Sequence, residues 1–330
     1  MKYPFIKKIL FCLPPETAHH VTLQWLTLST QLGLWKKKPC LQPPIEVMGL
    51  TFPNYVGLGA GLDKNGDYID ALSVLGFGFI EVGTVTPRPQ LGNPKPRLFR
   101  LVSEEAIINR MGFNNKGVDY LVTRLKKMHY KGILGINIGK NKDTTTDDAT
   151  KDYLYCFKKV APYASYITIN ISSPNTEKLR ELQHGELLQH LLSALKQAQQ
   201  NFFISHQKYV PLVVKVSPDL TLDEMKAMAQ IFMNEKIDGI IATNTTVDRS
   251  QVSSQTSGGL SGKPLMQRST NVLKTFHQYL EGKIPLIGCG GIQNGHDAKA
   301  KLAAGASLLQ IYTGLIYQGP DLIQTILAEN

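Results

Sequence analysis

A set of lysines, asparagines, serines and glycines recurs just where short apolar runs end: Lys64, Thr84, Asn137, Asn170, Ser172, Ser173, Lys215, Thr243-Asn244-Thr245 and Gly290-Gly291. In a (β/α)8 barrel the ends of the strands open onto the active site, so polar residues in these positions share one mouth. Lysines there can hold anions, asparagines offer a donor and an acceptor each, and bare glycine amides suit a phosphate. Each residue also has a plainer reading. A lone lysine is usually solvated, asparagines usually sit in turns and caps, and Ser172-Ser173-Pro174 would alone be an ordinary turn. What argues for a site, and for a phosphorylated cofactor in it, is their convergence. A metal is not signalled: Cys12, Cys40, Cys156 and Cys289 are far apart and form no CxxC pair, which also speaks against a disulfide framework and for a reducing compartment.

The elements that would position these groups are eight runs: Val56 to Leu58, Phe79 to Gly83, Leu134 to Ile138, Tyr166 to Asn170, Leu212 to Val216, Gly239 to Thr243, Leu286 to Gly288 and Leu308 to Tyr312. They alternate with helical stretches from residue 45 onward, one of them opened by a capping box at Thr221 to Glu224. Eight βα units at this spacing imply an α/β fold, a TIM barrel of about 250 residues or more. A doubly wound sheet is the rival. It is weakened because Gly57-Leu-Gly-Ala-Gly61 and Gly288-Cys-Gly-Gly291 lack the GxGxxG spacing. Gly258-Gly-Leu-Ser-Gly262 lies in a long polar connection and is expected to form a mobile loop.

Residues 1–40 form a different segment. An apolar stretch from Tyr3 to Leu13 is broken by Pro14-Pro15, and Glu16 to Leu34 follows as a second helix, with Ala18, Val21, Trp25, Leu28 and Leu32 in one stripe that Leu23 and Leu26 widen. Lys2, Lys7, Lys8, Lys36, Lys37 and Lys38 flank the pair, and Pro39, Pro43 and Pro44 mark a linker into residues 41–330. Apolar helices edged with lysines match an interfacial membrane anchor, while a hairpin packed on its own domain fits the same pattern.

Bulk composition sets wide bounds. The chain has 330 residues, 42% hydrophobic and 19% charged, enough for one large barrel, and a formal charge of +10 that suits anionic partners. The basic residues are scattered without a stripe of interleaved aromatics, which speaks against nucleic acid. No apolar run approaches the ~18 residues of a spanning helix, so membrane contact would be peripheral.

The runs Gly61-Leu-Asp-Lys64, Asn109-Arg-Met-Gly-Phe113-Asn, Asn137-Ile-Gly-Lys140-Asn, Asn170-Ile-Ser-Ser173-Pro-Asn175-Thr, Ala242-Thr-Asn-Thr245 and Gly258-Gly-Leu-Ser-Gly262 together resemble the dihydroorotate dehydrogenases. The resemblance covers the whole chain in order. It is to the class 2, quinone-reducing branch, which carries an N-terminal helical extension and a serine base where the soluble class 1 enzymes carry cysteine.

That resemblance implies oxidation of dihydroorotate to orotate in pyrimidine biosynthesis, with FMN taking a hydride and a membrane quinone reoxidising it. It makes Ser173 the base, with Thr176 and Phe113 shaping the relay that receives its proton. It assigns substrate contacts to Lys64, Asn109, Arg110, Met111, Gly112, Phe113, Asn170, Asn175, Asn244 and Thr245. For FMN it implies Ala60, Gly61, Leu62, Asp63, Lys64, Thr84, Asn137, Asn170, Lys215, Thr243, Gly262, Gly291, Tyr312 and Thr313, with the phosphate on backbone amides near Gly291 and Thr313. For the quinone it implies a tunnel between the N-terminal helices, reaching the flavin near His19, Arg100 and Tyr312.

The rival functions are a soluble FMN barrel using fumarate or NAD, against which Ser173 and the N-terminal segment argue, and a flavin-free binding protein that keeps the fold. The remaining expectations are a monomer and, from a start directly at the first helix without a transit peptide, a peripheral protein on the cytoplasmic side of a bacterial inner membrane.

Overall fold

The structure, a computed structural model, describes residues 3–35 and 42–329. Lys2, Lys36, Lys37, Lys38, Pro39 and Cys40 lie outside the described residues, so of the six flanking lysines only Lys7 and Lys8 are placed.

Eight strands close a barrel in chain order: β1 (Val56–Leu58), β2 (Phe79–Val85), β3 (Ile133–Ile138), β4 (Tyr166–Asn170), β5 (Leu212–Val216), β6 (Gly239–Ala242), β7 (Leu286–Cys289) and β8 (Ala306–Ile311). Neighbours are parallel throughout, and Leu309 opposite Val56 joins β8 to β1. Strands covered on both faces must be apolar along their whole length, and β4 and β5 are buried at every residue. That is why the eight apolar runs of the sequence match the eight strands, with ends displaced by a residue or two. Helices on the outside, among them Gly185–His206 and Met266–Tyr279, cover the ring. At Leu222–Asn234 the capping box forms as expected, Thr221 Oγ1 accepting from Glu224 N while Glu224 accepts from Thr221 N.

The opposite end of the barrel is plugged by a hairpin, Ile45–Val47 with Leu50–Phe52, whose Phe52 ring meets Phe79 edge-on at 5.2 Å. Its two-residue turn has positive φ at both Met48 and Gly49, the twist that a tight hairpin favours.

At the mouth the structure corrects one expectation. Gly258-Gly-Leu-Ser-Gly262 is not a mobile loop: Gly259–Gly262 is a strand, antiparallel to Ala106–Asn109, which pairs in turn with Leu98–Leu101. The three strands form a small sheet with its own apolar cluster of Ala106, Ile108, Val252 and Leu260. Glycine lowers local strand propensity, but here partners about 150 residues away supply the pairing.

The N-terminal helices are α1 (Tyr3–Phe11) and α2 (Pro15–Gln31), both shorter at the C-terminal end than the sequence suggested. Pro15 stands in the first turn of α2, where its missing N–H costs nothing. The expected stripe divides. Ala18, Leu23, Leu26 and Ser29 face inward, while Val21, Trp25, Leu28 and Leu32 remain 43 to 65% exposed. On α1, Phe5 and Ile9 are also exposed. Among the described residues no helix is long and apolar enough to cross a membrane.

Candidate active site

One cavity at the C-terminal mouth gathers residues from the ends of seven of the eight strands, all but β3. Its wall includes Ala60, Gly61, Lys64, Thr84, Asn109, Met111, Gly112, Phe113, Asn170, Ser173, Asn175, Lys215, Thr243, Asn244, Thr245, Gly262, Gly291, Tyr312 and Thr313. Of the strand-end and loop residues singled out in the sequence, Leu62, Asp63, Arg110, Asn137, Ser172 and Thr176 do not line it. Asp63 instead accepts backbone N–H bonds from Asn65, Asp67 and Tyr68 and fixes the turn that carries Lys64. Asn137 lies beneath the cavity floor, and Arg110 reaches outward to Pro96 O and Ser257.

The floor is a continuous polar network. Glu81, wholly buried on β2, receives bonds from Asn137 Nδ2 at 2.8 Å, Tyr166 OH at 2.9 Å, Thr168 Oγ1 at 3.1 Å and Gln310 Nε2 at 2.7 Å. Asn137 Oδ1 in turn accepts from Thr84 Oγ1 (2.5 Å) and Asn170 Nδ2 (3.1 Å). Above it, Asn244 Nδ2 donates to Ser172 Oγ at 3.0 Å and to Asn170 Oδ1 at 3.4 Å. A buried carboxylate is tolerated because every partner donates to it. Glu81 and Gln310 were not singled out in the sequence, although each is a large polar residue flanked by apolar ones inside a barrel strand, where burial demands polar partners.

The mouth is built by loops that tie to one another. Asn175 Nδ2 bonds Asn109 O (3.0 Å) and Oδ1 (3.2 Å), and Asn93 Nδ2 bonds Arg110 O and Asn175 O. Ser173, 7% exposed, accepts from Asn175 N at 3.3 Å. Arg180 straps its loop, donating to Ser172 O and Thr245 O while pairing with Asp219 at 3.0 Å. Thr176 Oγ1 is buried without a hydrogen-bond partner. Phe113 has φ +51°, a left-handed conformation that turns its ring against Gly139 and into the cavity wall.

Both lysines differ from ordinary surface groups in lining the cavity wall. Lys64 donates to Gly61 O at 2.7 Å, and burial, then the positive charge of Arg97, pushes its ammonium down to about 8. Lys215 is buried in the wall. At the far side, Gly290 and Gly291 have φ of +115° and +83°, and a Cβ on Gly291 would stand 2.3 Å from Met266 Cα. Only glycine fits there, and its amide borders the cavity beside the first turn of helix Met266–Tyr279, which has no side-chain cap. The wall also holds Gln310, whose Oε1 is buried and unpartnered. A glycine cradle at one end and an orphaned acceptor at the other fit a ligand with an anionic tail and an N–H-bearing ring, as a flavin phosphate has.

Helix α2 borders this mouth. Glu16 pairs with Arg97 at 2.7 Å and Lys95 at 3.2 Å. His19 packs near Leu62 and Lys64, and burial, followed by the Lys64 charge, lowers its pKa to about 3. Arg100 donates to Leu10 O and Leu13 O and stacks on Phe11, holding the turn between α1 and α2. Neither His19 nor Arg100 lines the cavity, whereas Tyr312 does, its hydroxyl raised to about 12 by burial.

A family model described as dihydroorotate dehydrogenase matches residues 44–329. The chain belongs to the dihydroorotate dehydrogenase family. Proteins named dihydroorotate dehydrogenase (quinone) from Nitrosospira multiformis and Cronobacter sakazakii are each 54% identical to it, covering 99% of this chain and 95% and 99% of their own. With these full-length relatives it falls in class 2 of this oxidoreductase family. A crystal structure of the Eimeria tenella dihydroorotate dehydrogenase in complex with ferulenol superposes with a TM-score of 0.88 at 37% identity, covering 97% of this chain and 93% of that one. A ligand-free form of the same enzyme gives 0.86. The dihydroorotate dehydrogenase fold therefore extends through the N-terminal helices as well as the barrel.

Proposed function

We propose that the protein oxidises (S)-dihydroorotate to orotate in de novo pyrimidine (UMP) biosynthesis, with FMN as cofactor and a membrane quinone as electron acceptor. The observation that carries this reading is the meeting of Ser173 with Asn109, Asn170, Asn175 and Asn244 in one cavity that also holds two lysines and a glycine cradle. When bound, FMN accepts a hydride from the substrate and passes the electrons to the quinone.

The residues divide the remaining work. The four asparagines match a ring of alternating amide N–H and C=O groups. Lys64 is a cation for the substrate carboxylate, and Met111, Gly112, Phe113 and Thr245 shape the pocket around the ring. Ser173 takes the proton from the carbon beside the substrate carbonyl. A serine hydroxyl is too weak a base to act alone, so its own proton leaves as it accepts one and passes on to solvent through a relay that Phe113 and Thr176, whose Oγ1 is buried without a partner, shape. Ala60, Gly61, Thr84, Thr243 and Gly262 cradle the cofactor, Asn137 and Leu62 support that wall from behind, and Lys215 places positive charge beside the ring. The phosphate rests on the amides around Gly291 and Thr313.

Residues 1–40 are read as the membrane-docking and quinone-access segment and 41–330 as the catalytic domain. The exposed Phe5, Ile9, Val21, Trp25, Leu28 and Leu32 support docking, because an apolar face of this breadth on a soluble surface usually marks a binding surface. His19, Arg100 and Tyr312 are assigned to the quinone route from these helices, a reading supported by Tyr312 lining the cavity and by His19 packing near Lys64. The protein is read as a monomer peripheral to the cytoplasmic side of the inner membrane.

Anaerobic addition of dihydroorotate to the purified protein tests the whole reading. The flavin absorbance should bleach, and a short-chain quinone should restore it. Recovery with fumarate or NAD alone would remove the quinone and the membrane from the assignment, and absence of bleaching would remove the substrate.

A further inference from the structure

Lys301, on helix Gly295–Ala303, is wholly buried, yet the proposed chemistry gives it no part. Its ammonium donates to Ser269 Oγ at 2.8 Å and Thr270 Oγ1 at 3.0 Å, and among the described residues no salt bridge engages it. A buried charge with only hydroxyl partners is costly unless a counter-charge lies nearby. Two titratable groups face it. Cys289 keeps its proton because burial raises its thiol, and Asp297, on the same helix, supports the ammonium through space without pairing with it, while its carboxylate accepts the backbone N–H of Gln293. The ammonium also sits behind the N-terminal turn of helix Met266–Tyr279, the positive end of that helix dipole, which compounds the excess of positive potential.

The hydrogen bonds show where the charge is felt. Ser269 Oγ has Gly290 O at 3.0 Å and Met266 O at 3.1 Å as acceptors, and Thr270 Oγ1 donates to Met266 O at 2.8 Å. Because the Gly290–Gly291 peptide is trans, its N–H points away from Ser269 when its carbonyl points toward it. Gly291 lines the cavity, so that N–H points to the side where an anion would bind. A peptide whose carbonyl is polarised by a charged donor chain becomes a stronger donor at its N–H.

We propose that Lys301 is the buried counter-charge of the cofactor phosphate and acts through Ser269 and the Gly290–Gly291 peptide to make the site select a phosphorylated flavin over its dephosphorylated form. Lys301 is thus a positioning and specificity residue that never touches the ligand. The inference rests on the reading that the phosphate lies at Gly291.

The test compares dissociation constants of FMN and riboflavin for the full chain stripped of flavin, read by quenching of flavin fluorescence. Wild type should prefer FMN. Lys301→Met, close in volume and uncharged, should lose FMN affinity on the order of tenfold, with riboflavin affinity unchanged, and Ser269→Ala should shift the ratio in the same direction by less. A Lys301→Met protein that keeps the wild-type ratio overturns the proposal while leaving the phosphate site standing. A wild type that binds both flavins equally overturns the phosphate assignment itself. Should Lys301→Met not fold, the wild-type ratio against pH decides. The Lys301 ammonium is lowered to about 8, chiefly by burial, so the preference for FMN should be full below that pH and decline above it. Lys64 acts beside the ring on both flavins and cancels in the ratio, so a flat ratio from pH 7 to 10 overturns the proposal.

Discussion

The barrel and the helix pair beside it use the same kind of amphipathic helix to different ends. In the barrel helix Gly185–His206, Leu188, Leu191, Leu192 and Leu195 are wholly buried against strands and neighbouring helices. In α2 only a narrow face is covered, and Trp25 and Leu28 are 53% and 55% exposed. Leu23 and Leu26 join the main core, and polar ties add to the attachment of the pair: Glu16 to Arg97, Tyr3 OH to Ile316 O, Lys7 to Tyr317 O and Arg100 to Leu10 O. The difference teaches that an apolar stripe identifies a helix that must be covered, but not by what. In one region the covering is the protein's own core, and in the other the outer stripe stays exposed among the described residues.

The largest effect should come from the barrel alone. Ser173→Ala should slow flavin bleaching by dihydroorotate by about 10²- to 10⁴-fold with flavin still bound, and normal turnover would sink its assignment as the base. Next, paired leucine truncations sharpen the contrast directly. Leu191→Ala should cost about 2–5 kcal/mol in urea unfolding, whereas Leu28→Ala should stay within ~0.5 kcal/mol. Equal costs would mean that α2 is as fully packed as the barrel helix.

Charging the exposed face comes third. Trp25→Glu combined with Leu28→Glu should reduce co-sedimentation with anionic phospholipid vesicles about tenfold or more, with the rate of flavin bleaching by dihydroorotate unchanged. A changed bleaching rate would break the separation of the two regions.

The smallest effect concerns His19. Its folded pKa is lowered to about 3, below the ordinary value of 6.5, so the unfolded chain binds the extra proton first as pH falls. The contribution of the neutral ring is full above about 6.5 and is lost progressively toward lower pH. Thermal midpoints of His19→Leu should therefore fall less between pH 7.5 and 5.5 than those of the wild type, and parallel curves would contradict this.

The barrel was legible in the sequence because its strands are buried on both faces and read as apolar runs such as Leu212 to Val216. Polar residues at their ends pointed to the mouth for the same reason. What stayed hidden depends on partners distant in the chain. Gly259–Gly262 becomes a strand only through Ala106–Asn109, and nothing local to Gly-Gly-Leu-Ser-Gly announces that pairing. Which side of α2 would turn inward likewise follows from contacts such as Glu16 with Arg97, 81 residues on. Lys301 lies on a polar helix, and burial of a single position leaves no periodic trace in the sequence.

The network on Glu81 has a further consequence, one of direction. Asn137 must turn its amino group down to the carboxylate, so its carbonyl faces up and accepts from Thr84 and Asn170. Asn170 thereby commits its own amino group downward and offers its oxygen to Asn244 and Ser172. The amino groups of Asn137, Asn170 and Asn244 all point along one line toward Glu81, so the orientation of Asn170 and Asn244 at the mouth is inherited from a residue that does not line the cavity. A neutral amide in place of Glu81 would add a donor at that sink: with its oxygen kept toward Asn137, its amino group would face the amino group of Gln310, which with Tyr166 and Thr168 bonds the other carboxylate oxygen.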